Sequence, residues 1–146
     1  MTFYSRKLTM PFEDVLNKVT ENLTRQGFSV ITTLDMQDIF RQNLDRNFRK
    51  YRILGVYNAT LALKAIYLES HAGIMLPCNV VIQDLPEGQV EVSALNPLEA
   101  IAPDQQSPAL HAVAQEIGIR LRASVDFIAR TPEAPSFPIP KRPTTT

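Results

Sequence analysis

Between Ile74 and Ile82 the chain is apolar enough to form a central strand, yet Pro77 sits inside the run. A proline offers no backbone N–H to a sheet ladder, so a central strand accepts it only at a bulge or at its first paired residue. The strand is therefore entered around Leu76-Pro77-Cys78, which places the chain's one cysteine at that entrance. Asp84-Leu85-Pro86-Glu87-Gly88 then supplies turn chemistry, and Gln89 to Leu95 alternates Val90 and Val92 against Glu91 and Ser93. This pattern predicts an antiparallel hairpin with one wet face.

The remaining elements follow from changes of hydrophobic period. The first nine or so residues alternate like a strand, and Pro11 opens a helix whose Phe12, Val15, Leu16, Val19 and Leu23 share a face. Gln26-Gly27 closes it, and Phe28, Val30, Thr32 and Leu34 return to a two-residue period. Asp35 suits the N-cap of a short helix with Met36, Ile39, Phe40 and Leu44 on one stripe. Tyr51 to Tyr57 reads as a third strand around Gly55, and Asn58 caps a helix carrying Leu61, Ala62, Ala65, Ile66 and Leu68. Ser107-Pro108 begins the longest helix, with Leu110, Val113, Ala114, Ile117, Leu121, Val125 and Ile128 as its stripe. Residues 1–131 make one α+β domain in this reading: an antiparallel sheet of about five strands packed on the first and last helices. The segment 132–146 holds five prolines and three terminal threonines, the composition of a tail outside the core.

Composition excludes several classes of function. At 146 residues the chain buries one real core and is too short for two ordinary domains. Lys plus Arg and Asp plus Glu number 15 each, leaving no overall field to attract nucleic acid or an anionic membrane. Arg41, Arg46, Arg49, Lys50 and Arg52 do cluster, but Asp35, Asp38 and Asp45 are interleaved, the pattern of a solvated face. Residues 2–10 lack the unbroken apolar stretch of an export signal, and no segment approaches the roughly 20 apolar residues that span a bilayer. A soluble protein of the cytoplasm is expected, and one cysteine allows no internal disulfide.

Candidate chemistry centres on Cys78. If the third and fourth strands run antiparallel, the end of one and the start of the other share a sheet edge, so Tyr57-Asn58 faces Cys78-Asn79. A pocket rimmed by Cys78, Tyr57, Asn58 and Asn79 is the expected site. A reactive thiol needs an electropositive, partly exposed setting, whereas the sequence neighbours of Cys78 are apolar or amide. Metal or haem binding would draw on Cys78 and His71, with Glu69 and His111 as further ligands, at a spacing unlike any zinc motif. Tyr4, Phe28, Phe40, Tyr51 and Tyr57 fall at strand and helix periods and are expected in the core.

Four stretches together resemble the bacterial and archaeal domain of unknown function 302 family: Phe12-Glu13-Asp14-Val15 into Gln26-Gly27-Phe28-Ser29-Val30, Leu34-Asp35-Met36-Gln37, Tyr51-Arg52-Ile53-Leu54-Gly55, and Leu76-Pro77-Cys78-Asn79-Val80. The resemblance runs over roughly residues 3–130. It implies an α+β fold of the TATA-box-binding-protein-like kind, with a curved antiparallel sheet backed by two main helices, and implies no particular activity. Where the family typically carries Cys-Asn-Pro after the third strand, this chain reads Tyr57-Asn58-Ala59, so a site built from two thiolates in one subunit is ruled out. The leading expectation is a non-catalytic ligand-binding or interaction domain without cofactor, acting as a homodimer. The alternatives are a thiol-dependent redox or detoxifying enzyme using Cys78, and a haem or metal protein.

Overall fold

Five strands and four α-helices alternate along the chain in a computed structural model that describes residues 2–102, 104 and 107–130. In order they are β1 (Phe3–Leu8), α1 (Phe12–Arg25), β2 (Ser29–Asp35), α2 (Met36–Leu44), β3 (Tyr51–Tyr57), α3 (Ala59–Leu68), β4 (Cys78–Asp84), β5 (Val90–Leu95) and α4 (Pro108–Arg130). Short 3-10 segments occupy Ser70–Met75, Pro86–Gly88 and Pro97–Ala100. The expected tail, 132–146, lies outside the described residues. The strands form one antiparallel sheet in the order β1-β5-β4-β3-β2.

Local chemistry explains the boundaries. Gly27 has φ +86°, a conformation that favours glycine, and it turns the end of α1 directly into β2. A Cβ there would stand 2.8 Å from Asn58 Nδ2, so the position is closed to side chains on two counts. The side chains of Asp35, Asn58 and Ser107 each accept the backbone N–H three residues on, at 3.1 Å, as N-caps of α2, α3 and α4. Pro77 stands just outside β4, which begins at Cys78, so the ladder loses no donor.

One face of the sheet is the floor of the core. Leu54 and Val56 of β3, Cys78, Val80 and Ile82 of β4, and Val90, Val92 and Ala94 of β5 are all buried and point to it. Helices α1 and α4 cover that face. Val15, Val19 and Leu23 from α1 meet Leu121 and Val125 from α4 at 0–1% exposure, and the whole predicted α4 stripe from Leu110 to Ile128 is buried. Fully burying each such side chain contributes about 1.5–3 kcal/mol. Asn22, also buried, donates from Nδ2 to the Ser124 carbonyl at 3.2 Å and ties the two helices together. Arg120 adds a bond to the Gln26 carbonyl at 3.2 Å and an ion pair with Glu116 at 2.8 Å.

One helix stays outside the core, and one expectation needs correction. Helix α2 buries none of its residues, and Leu44 is 63% exposed, because α2 packs beside β2 and β3 instead of on the core face. Of the five aromatic residues expected in the core, only Phe28 is buried. The others are half-buried, since Tyr51 and Tyr57 alternate onto the uncovered side of β3, Tyr4 lies on an edge strand and Phe40 belongs to α2.

Gly55 supplies a test of this packing. Any Cβ there would run into the Thr32 hydroxyl of β2 and stand 3.1 Å from Pro77 Cγ. Gly55→Val is expected to lower the stability measured by urea denaturation by about 1–3 kcal/mol, the usual cost of overpacking, whereas Ile53→Val on the same face leaves it within about 1.5 kcal/mol.

Candidate functional site

Strands β3 and β4 do lie side by side and antiparallel, with Val56 opposite Cys78 and Gly55 opposite Asn79. Because successive side chains in a strand point to opposite faces, this register divides the expected pocket. Cys78 shares the core face with Val56, whereas Tyr57, one residue further along β3, points to the other side with Asn79. Cys78 is 2% exposed, and its Sγ lies 4.0 Å from the Met75 carbonyl. Burial pushes its thiol up to about 11 from an ordinary value of 9.0. Asn58 is buried as well and is occupied in capping α3. The sheet thus stands between Cys78 and Tyr57, and these two side chains do not wall a common pocket.

The outward side of the sheet carries a groove of about 360 Å³. The side chains of this outward face fall in rows set by the strand register. Tyr51, Gln83, Glu91 and Lys7 form one row, Ile53, Val81, Ser93 and Ser5 the next, and Phe3 stands opposite Leu95 toward the end. Phe3, Val81 and Leu95 give the groove an apolar floor, and Asn79 joins its lining. Asn79 is therefore the one expected site residue that the groove includes.

A polar chain closes one side. Arg49 donates from Nε and Nη2 to Gln83 Oε1 at 3.3 and 2.9 Å, and Gln83 Nε2 donates to Glu91 Oε1 at 3.4 Å. Ser93 Oγ donates to the same oxygen at 3.4 Å. The Arg49 guanidinium lies 4.4 Å from the Phe48 ring centre and 5.6 Å from that of Tyr51, and Phe40 meets Phe48 edge-on at 5.1 Å. Cation–π contact and amide hydrogen bonding together hold Arg49 against Gln83 and Tyr51, two residues of the groove's lining. In the sequence, Arg49 reads as part of a solvated basic cluster and Glu91 only as the wet face of a hairpin, and Gln83 carries no site signal of its own. The shared outward phase of Gln83 and Glu91 on adjacent strands was the available signal, and it becomes readable only once the register is known.

A second concavity of about 640 Å³ lies between the Ser70–Met75 segment and the start of α4, lined by His71, Ile74, Met75, Ile101 and Leu110 among others. Glu69 Oε1 accepts the His71 backbone N–H at 3.0 Å and lies 2.6 Å from His71 Nδ1, and these bonds hold the Glu69 carboxyl below its usual range. His71 is 80% exposed and pairs with Glu69, while Cys78 faces the core. His111 is on the outer surface of α4's first turn. Among the described residues no three histidine, cysteine, aspartate or glutamate side chains gather closely enough to hold a metal ion. No helix among them is long and apolar enough to cross a membrane.

An antiparallel sheet backed on one face by two long helices, with a Pro-Cys-Asn entry to its central strand, defines a small α+β class of proteins. Residues 4–128 match the family described as Domain of unknown function DUF302, and the chain belongs to that family. The crystal structure of an uncharacterized conserved DUF302 protein from Bacillus stearothermophilus superposes with a TM-score of 0.78 at 23% identity, covering 86% of this chain and 97% of that one. That likeness shows a shared fold. No curated protein matches the chain.

The position of Cys78 yields two measurable outcomes. Alkylation of the native protein by iodoacetamide is expected to stay slow at neutral pH and to become fast only on unfolding; ready labelling with a midpoint below 7 would contradict the buried thiol. Since the folded chain favours the neutral thiol, its contribution to stability is complete below pH 9.0 and is lost as pH rises to about 11. The decline amounts to about 2–3 kcal/mol and is absent from Cys78→Ala, as followed by urea denaturation at alkaline pH.

Proposed function

We propose that this protein is a non-catalytic binding domain that takes a small, largely apolar ligand on the uncovered face of its sheet and acts as a homodimer. The groove with its apolar floor and a single polar side is the observation that carries this reading. Phe3, Val81 and Leu95 suit an aliphatic or aromatic body. Glu91 accepts only long hydrogen bonds from Gln83 and Ser93, so its carboxylate retains acceptor capacity for a donor group on the ligand. Pockets of this kind, with a mostly apolar lining and a few convergent polar groups, are the usual form of small-molecule sites.

Thiol catalysis draws no support from the surroundings of Cys78. A nucleophilic thiolate requires nearby positive charge and access, and this thiol has apolar neighbours and a raised pKa. A reducing compartment such as the cytoplasm suits the lone free thiol. A nucleic-acid partner is disfavoured by the balanced net charge and by the internal engagements of the central basic residues. Arg49 holds Gln83, Arg52 pairs with Asp35 at 3.4 Å, and Lys50 lies 5.6 Å from the Phe12 ring centre.

The neutral dye N-phenyl-1-naphthylamine tests the groove by its fluorescence on binding. Val81→Glu, which puts a charge on the apolar floor, is expected to weaken dye binding at least about tenfold with the melting temperature little changed, while Glu69→Gln at the other concavity leaves it unaltered. Equal binding by Val81→Glu would reject the sheet face as the site. Native mass spectrometry of the purified protein is expected to show an apolar molecule of low mass that Val81→Glu no longer carries.

A further inference from the structure

Helix α3 carries two apolar stripes back to back. Leu61 and Ala65, four residues apart, face the core and are buried. Leu63 and Tyr67 have the same spacing but point away from the core, and they are 57% and 82% exposed. Ile66 and Leu68 are each nearly half exposed, and Ile74, in the 3-10 segment packed against α3, is 86% exposed. Lys64 is the only charged residue in the helix. A helix apolar all round is ordinarily a buried one. Here Leu63, Ile66 and Tyr67 lie within about 100° of the helix circumference and leave roughly 400 Å² in water, within the range of a monomer's largest patch and about half of the roughly 800 Å² each partner gives to a stable interface.

We infer that this face is the dimer interface, with α3 of one copy crossing α3 of a second copy antiparallel about a two-fold axis at Leu63. The inference rests on the homodimer reading above and assigns its surface. A face almost without charge needs an equally apolar partner, and an isologous contact provides one automatically, since each copy brings the same patch. Shape agrees. A two-fold axis at Leu63 sets residue 59 opposite residue 67, so the large Tyr67 of each copy meets the small Ala59 of the other. The formal net charge of zero leaves no overall repulsion between copies. A bilayer surface is the poorer occupant, because helices that lie on membranes carry a lysine- and arginine-rich face, and α3 has Lys64 alone.

Sedimentation velocity of the full chain from about 1 to about 100 µM reads the assembly directly. The wild type is expected to be dimeric in this range, and Leu63→Glu or Tyr67→Glu to raise the dissociation constant at least about a hundredfold, with circular dichroism unchanged because both positions face water in the monomer. Tyr67→Ala is a milder second variant and is expected to weaken the dimer in the same direction. In a Cys78→Ala background, Leu63→Cys places one thiol on the axis in each copy. Diamide, which takes up the two electrons and two protons released, is expected to link these thiols into a covalent dimer. A wild type that is monomeric throughout overturns both the interface and the homodimer reading. A dimer that survives all these substitutions overturns the interface alone. Flotation of the wild type, but not of Tyr67→Glu, with phosphatidylglycerol–phosphatidylcholine vesicles would overturn it in favour of a lipid surface.

Discussion

The packing of α1 and α4 on the three central strands is the contact on which the other elements depend. Val15, Val19, Leu121 and Val125 meet Val56, Val80, Ile82 and Val92 in a layer with almost no exposed surface. This layer consists mostly of β-branched residues, which lose little rotamer freedom in strands and present stiff, well-shaped surfaces to a neighbouring helix. The other polar and apolar arrangements follow from its orientation. Once β3, β4 and β5 turn these residues inward, alternation sends Tyr51, Gln83, Glu91 and Asn79 outward, and the groove forms on the side that receives no helix.

The same alternation separates buried chemistry from accessible chemistry. Cys78 and Asn58 are taken up by the core and by a helix cap, where low polarity and fixed hydrogen bonds make them structural. The accessible polar groups of the sheet come from residues with no distinctive motif, an arginine, a glutamine and a glutamate brought together from one loop and two strands. This arrangement is the one on which the proposed binding reading rests.

Much of the fold was legible because its signals are local. The caps at Asp35, Asn58 and Ser107, the glycine stop at Gly27, the hairpin around Pro86-Glu87-Gly88 and the complete α4 stripe all rest on residues within one or two turns of each other, and each stands where its chemistry predicts. The site was less legible because it depends on register, a property of two strands at once. Pairing β3 with β4 was foreseen correctly, yet Val56, and not Tyr57, lies opposite Cys78, and that one-residue difference moves a side chain through the sheet. The placement of helix α2 was not legible for a related reason. Its periodicity is real, but a stripe declares only that a helix has an apolar side, and the surface available to receive it is settled by the rest of the chain.

The sheet order has a consequence for how the chain assembles. Strands β2 to β5 follow one another through the sheet in sequence order, so each has its neighbour close at hand, whereas β1 must find β5 from the far end of the chain, with Phe3 meeting Leu95. Closing so long a loop is entropically slow, which makes the amino-terminal strand a late arrival in folding. Until it docks, the hydrogen-bonding rim of β5 lies open to any strand in solution, and β1 acts as the guard that ends this exposure.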